Sequence, residues 1–198
     1  MTSIRRSRPS RAAYTLVEML IVIGILGIAG ALLVPQIVSR DDLALQAAAR
    51  LLIADLSFAQ SDALAHQEYR RVHFYDDGSG YCIVRLTQAE LDDDFDPDTA
   101  DYIDDPLAVA GALGRYVVRY TTDTRFEGIS ITDVDLDDGA RFATYDELGG
   151  TIDEAGDPGV GGTITITSDV GDSFVITVSA FTGRLTIARL VADEDEGG

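Results

Sequence analysis

The chain has 198 residues, enough for one globular domain and one further element. Its 34 acidic residues face 15 basic ones, all arginine, and four of these (Arg5, Arg6, Arg8, Arg11) crowd into the first 13 residues, so the remainder carries 11 − 34 = −23. A surface of that sign repels phosphate backbones and anionic lipid, which argues against nucleic acid as a partner of the globular part.

The N-terminus reads as four parts in fixed order. A basic leader occupies 1–13, and an apolar run, 14–34, follows it and stops at Pro35. About 21 residues at ~1.5 Å each give a helix of ~32 Å, which matches a hydrocarbon core of ~30 Å. The span is therefore expected to cross a bilayer once, with the arginine-rich leader in the cytoplasm. Within it Glu18 stands alone as an ionisable residue near the edge. An acid costs about 2.5–3.5 kcal/mol at the centre of a membrane helix and less near its rim. Such a residue asks for a partner, unless it lies in the interface and is simply hydrated. A plain signal anchor accounts for the leader and the apolar run but leaves Glu18 unexplained.

Beyond Pro35, good helix formers predict a kink rather than an end, and a second helical part over 35–68. Leu45, Ala48, Leu52, Leu56, Ala59 and Ala63 recur every three or four residues and form one apolar stripe. Arg50, Asp55 and Asp62 are expected off that stripe. This segment should lie on a β-rich head over 69–192, with strands at 71–75, 81–86, 114–121, 129–134, 162–168, 172–179 and 184–190. The last three should form a meander. An acidic stretch at 90–105 and a Gly/Asp loop at 149–162 interrupt the sheet, and 193–198 reads as a disordered acidic tail. The fold class is α+β: a long N-terminal helix packed on a C-terminal antiparallel sandwich or sheet.

Candidate chemistry is sparse. The single Cys82 excludes an intrachain disulfide, and in the stretch YCIVRL it reads as a small buried hydrophobe. His66, at a helix end, and His73, in an expected strand, fit capping and packing, since no third metal ligand stands at suitable spacing. No nucleophile elbow, HExxH, P-loop or Cys/His metal spacing occurs, so no catalytic residue is assigned. Asp94, Asp96, Asp98 and Asp105 stand at relative positions 1, 3, 5 and 12, the EF-hand spacing. Position 6 is nevertheless Thr99 rather than Gly, and Pro97 stiffens the middle. A solvated acidic loop is the expected reading, with Ca²⁺ the alternative, and no other cofactor is expected.

The string A-YTLVEMLIVIGILGIAGALLVP resembles the class III signal of type IV pilins and pseudopilins. The resemblance implies that a prepilin peptidase cuts between Ala13 and Tyr14 and N-methylates Tyr14. Glu18 becomes the fifth mature residue, and Pro35 falls where the family has its proline. It also implies a partner for Glu18: the new ammonium of a neighbouring subunit, in a head-to-tail contact that builds an open filament. Gly24, Gly27 and Gly30 would permit close helix packing or are ordinary lipid-facing residues. Ala13 replaces the usual Gly and Tyr14 the usual Phe. RLLIADLSFAQSDALAHQEYRRVHF and VITVSAFTGRLTI resemble parts of GspH/FimT-like proteins. That implies a minor pseudopilin of type II secretion in the inner membrane, with its head in the periplasm and other pseudopilins as partners. The alternatives are a minor pilin of a type IV pilus and a membrane-anchored periplasmic enzyme.

Overall fold

The structure, a computed structural model, describes residues 15–106 and 114–190, without the side chains of 30–41. The leader, Ala13, Tyr14, the tail at 193–198 and the side chain of Pro35 thus lie outside the described residues. The chain divides into two compact units, Met1–Ser39 and Arg40–Gly198.

One helix, α1 (Leu16–His66), belongs partly to each unit, and its helical backbone does not end at Pro35. It terminates at Gln67, which takes the left-handed conformation (φ 55°). The Glu68 N–H then turns back to the Ala63 carbonyl at 3.2 Å. This is the Schellman arrangement that satisfies orphaned carbonyls, here with Gln where Gly is usual.

The second unit carries the sheets. β1 (Tyr69–Phe74) and β2 (Gly80–Leu86) form an antiparallel hairpin. β3 (Asp101–Tyr102) and β4 (Val117–Arg119) both pair with β2. β5 (Ile129–Leu136) leads to β6 (Phe142–Tyr145) and β7 (Thr151–Ile152), and the chain closes with β8 (Gly161–Ser168), β9 (Ser173–Ser179) and β10 (Leu185–Leu190). Among the described residues these strands make a six-stranded sheet, ordered β3-β2-β1-β6-β7 with β4 also on β2, and a four-stranded sheet ordered β10-β9-β8-β5. The closing meander β8-β9-β10 is therefore present as expected.

The helical stripe is the buried face. Leu45, Ala48, Leu52, Leu56, Ala59 and Ala63 are all fully buried, with Ala49 beside them. They share one core with Val72, Phe74 and Ile83 of the larger sheet and with Ile131, Ile164, Ile166, Ile176 and Val178 of the smaller. Each buried Leu or Ile contributes about 1.5–3 kcal/mol relative to exposure. In β5 a bulge between Ile131 and Asp133 adds a residue, so Ile131 and Val134, three apart, both point inward. Gly80 has a different cause: a Cβ there would lie 2.0 Å from the Val118 carbonyl, so only glycine lets β4 approach β2.

Three expectations are corrected. The strand expected over 114–121 is only Val117–Arg119, and Tyr120–Thr122 forms a 3-10 turn. The two expected interruptions are not wholly irregular, because β3 lies in the acidic stretch and β7 in the Gly/Asp loop. β6 was not expected at all. Asp55, expected off the stripe, is buried at 4% exposure, whereas Arg50 is exposed and Asp62 half-buried.

Candidate functional site

The first turn of α1 is organised by Thr15. Its Oγ1 accepts the Glu18 N–H at 3.2 Å, and its carbonyl accepts the Met19 N–H at 3.2 Å. Thr15 is thus the N-cap and Glu18 the third helical residue, the T-x-x-E spacing of a capping box. An acid there also suits the positive end of the helix dipole. Among the described residues no cation lies within ion-pair distance of Glu18. The sequence identified Glu18 as unpaired; the capping relation to Thr15 was legible in the same four residues and was missed.

The next turns present Leu16, Val17, Met19, Leu20, Ile21, Val22, Ile23, Ile25, Leu26 and Ile28, each 46–76% exposed. A helix apolar all round is stable only when lipid or other protein covers it. A Cβ added at Gly24 or Gly27 would meet nothing within 4 Å, so no contact among the described residues explains either glycine. Among the described residues no helix is long and apolar enough to cross a membrane. The described apolar side chains end at Ala29, about 14 residues or ~21 Å from Leu16, while the expected span of 14–34 extends past them at both ends.

In the head, the missed feature is a polar cluster inside the core. Asp55 of α1 accepts the Tyr81 hydroxyl at 2.5 Å and the Tyr116 hydroxyl at 2.9 Å. Tyr120 packs edge-on against Tyr81, its own hydroxyl buried without a partner among the described residues. Burial raises the Asp55 carboxyl above its ordinary value, the two hydroxyls partly offset this, and nearby Asp105 pushes it up further. No cation pairs with Asp55 among the described residues.

Two arginines of β1 are buried as well. Arg70 binds Asp62 at 2.5 Å and Glu68 at 3.0 Å, and Glu68 reaches on to Arg85 and Arg85 to Asp101. Arg71 donates to Thr144 Oγ1 at 3.0 Å and to the Leu91 carbonyl, with its guanidinium 4.0 Å from the Phe142 ring centre. Burial pushes its pKa down to about 10. His66 closes α1 with Nδ1 3.0 Å from the Asp62 carbonyl, the capping position expected. His73 packs, as expected: its ring stacks on Phe95 at 3.9 Å, and burial lowers its pKa to about 4. Cys82 is fully buried, its thiol raised to about 11 by burial.

Phe95 fastens the acidic stretch to the larger sheet. Within that stretch Asp96 accepts the Asp98 N–H at 2.9 Å and the Thr99 hydroxyl at 3.1 Å. Among the described residues no group of three or more His, Cys, Asp or Glu is placed to hold a metal, so Asp94, Asp96, Asp98 and Asp105 are not gathered into one.

Residues 8–34 match the family model described as "Prokaryotic N-terminal methylation motif". The match covers the end of the leader from residue 8, both residues of the expected cleavage bond, Glu18 and the apolar run. No curated protein matches the chain. Among solved structures, the minor pseudopilin EpsH from the Type 2 Secretion System of Vibrio cholerae is similar at 14% identity, over 73% of this chain and 96% of that one, with a TM-score of 0.48. The chain thus carries a prokaryotic N-terminal methylation motif ahead of an antiparallel β head.

Proposed function

We propose that the protein is a type IV pilin-like subunit, a minor pseudopilin of a type II secretion system, whose role is assembly rather than catalysis. The observation that carries this reading is the match to the methylation motif at 8–34, which runs into a helix whose apolar residues stay exposed among the described residues. A prepilin peptidase cuts between Ala13 and Tyr14 and methylates the amine of Tyr14. The 14–34 segment anchors the subunit in the inner membrane, with the head in the periplasm. When subunits leave the lipid, the same apolar surface packs against neighbouring helices, and Gly24 and Gly27 leave room for close approach.

Glu18 then finds its partner in trans. The ammonium freed at Tyr14 of an adjacent subunit neutralises its carboxylate in a medium where such a pair is much stronger than in water. Each subunit offers one charge of each kind, so the contact is head-to-tail and propagates. Pro35 lies at the boundary where the anchor gives way to the head's helix. The chain beyond residue 13 carries a net charge of −23, almost all of it outside the apolar segment, which suits the head to contacts with other subunits and not with nucleic acid. No cofactor is assigned to this role. Mass spectrometry of the protein from its membrane tests the reading: the expected N-terminus is N-methylated Tyr14. An intact Met1, or trimming beyond Val34, would overturn it.

A further inference from the structure

The larger sheet buries a cation that the head does not neutralise. Along β1, Arg70, Val72 and Phe74 alternate with Arg71 and His73, so the latter two lie on the opposite face. The acidic stretch covers that face: Phe95 stacks on His73, and the Leu91 carbonyl accepts from Nη2 of Arg71. Arg71 is 3% exposed. Thr144 Oγ1 accepts its Nε–H at 3.0 Å, and the Phe142 ring centre lies 4.0 Å from the guanidinium. Nη1 has no acceptor among the described residues.

Burial pushes the Arg71 pKa down to about 10, so the group is still a cation at neutral pH. An arginine this deeply buried is ordinarily paired with an acid. Arg70, one residue earlier, follows that rule with Asp62 and Glu68. Arg71 does not. Seven acids stand between residues 90 and 101, yet among the described residues none lies within ion-pair distance of it. The guanidinium is thus fixed in place by neutral groups and keeps an unused edge.

Arg71 lines a cavity of about 130 Å³ together with the apolar Val84 and Phe95 and with several charged groups. That volume is below the ~300–1,000 Å³ of sites for larger ligands, so it admits only a small molecule. Most of the charges are already committed. Arg85 pairs with Glu68 and Asp101, Glu90 accepts from Thr87, and Asp96 accepts from Asp98 and Thr99. What is left is the inner cation of Arg71 and the exposed carboxylates of Asp93 and Asp94. A simple anion would meet Arg71 but be repelled by the two acids, and a simple cation the reverse. We infer that this cavity is a binding site for a small amino acid zwitterion, its carboxylate on Arg71 and its ammonium against Asp93 and Asp94, with the carbon chain on Val84 and Phe95. A charge-assisted contact to a guanidinium that is already held in position gives such a ligand its orientation.

The test is calorimetric titration of the full chain in detergent micelles with glycine, β-alanine and γ-aminobutyrate, which hold the two charges at increasing spacing. Acetate and methylammonium, each with one charge only, are the controls. At least one of the three amino acids is expected to bind in the millimolar range or tighter, about tenfold more tightly than either control. Arg71→Met removes the cation while keeping an unbranched chain in its place. It should abolish the heat and preserve the melting temperature, because the buried charge it removes has no counter-ion. Should that variant fail to fold, the exposed pair Asp93→Asn and Asp94→Asn, made together, decides the matter: it should bring the amino acid down to the affinity of acetate. No heat from any of the three, acetate binding as tightly as the best of them, or an unchanged affinity in either variant would each overturn the site.

Discussion

Asp55 places a carboxyl group inside the head's core, with consequences for its protonation. A carboxylate 4% exposed, with two phenolic hydroxyls and no cation among the described residues, is less stable ionised than it would be in water. Its folded pKa therefore lies above the ordinary 3.8. With the folded value raised, the unfolded chain loses its proton first as pH rises. The contribution to stability is thus fully present below about pH 4, is lost as pH climbs through the folded pKa, and stays lost at neutrality. Asp55→Asn keeps an oxygen to accept both hydroxyls and removes the charge. Denaturant titrations of wild type and variant between pH 4 and 7 are expected to show the variant gaining relative stability as pH rises. A constant difference across that range would show that Asp55 does not titrate there. Asp55→Ala should instead cost about 1–3 kcal/mol, because Tyr81 and Tyr116 are left buried without an acceptor.

At the scale of elements, legibility in the sequence followed the simplicity of the burial pattern. The stripe from Leu45 to Ala63 and the β8–β9 alternation are visible because one face is apolar and the other polar. β6 is not visible: in the run Phe142-Ala143-Thr144-Tyr145 the last three are buried on both faces, and the interior Thr144 is satisfied by Arg71, which lies far from it in the chain. Asp55 and Arg71 are hidden for the same reason, since the groups that satisfy them come from other parts of the chain, whereas Arg70 meets the nearby Asp62 and Glu68. In the candidate site Glu18 was legible from its isolation, whereas the tyrosines that meet Asp55 come from positions 26 and 61 residues away. The β9–β10 turn is a sharper case. Gly183 has φ +61°, and a Cβ there would stand 2.9 Å from Tyr145 Cε1, 3.1 Å from Gln60 Nε2 and 3.2 Å from Thr151 Cγ2. Gly183→Ala is expected to destabilise the head by about 1–3 kcal/mol, through backbone strain and the displacement of Gln60 from the Gly149 and Thr182 carbonyls to which it donates. Hydrogen exchange should show lost protection at Thr151 and Phe181 before the rest of the sheet; uniform loss would mean that the turn unfolds only with the whole.

On the scale of the whole molecule, the two units answer to different forces. Among the described residues every core residue lies between Leu45 and Val178, within Arg40–Gly198, so that unit holds a hydrophobic core of its own. Among the described residues the apolar side chains from Leu16 to Ile28 stay exposed, which suits them to contacts outside the chain. Folding and assembly should therefore separate by mutation. A fragment beginning at Arg40 is expected to be folded and monomeric, with the melting temperature of the head in the full chain, and its acidity should keep it dispersed at low salt. Glu18→Ala in the full chain should leave that transition and membrane insertion unchanged while lowering recovery in sheared filament fractions several-fold. Glu18→Asp would keep the charge but shorten its reach, and should fall between the two, since the pairing needs both a carboxylate and contact with the neighbour's amine. If Glu18→Ala entered filaments as well as wild type, the acid would serve only the first turn of its own helix, with Thr15 as its cap. If instead the head transition shifted, Arg40–Gly198 would not be the independent folding unit that its core describes.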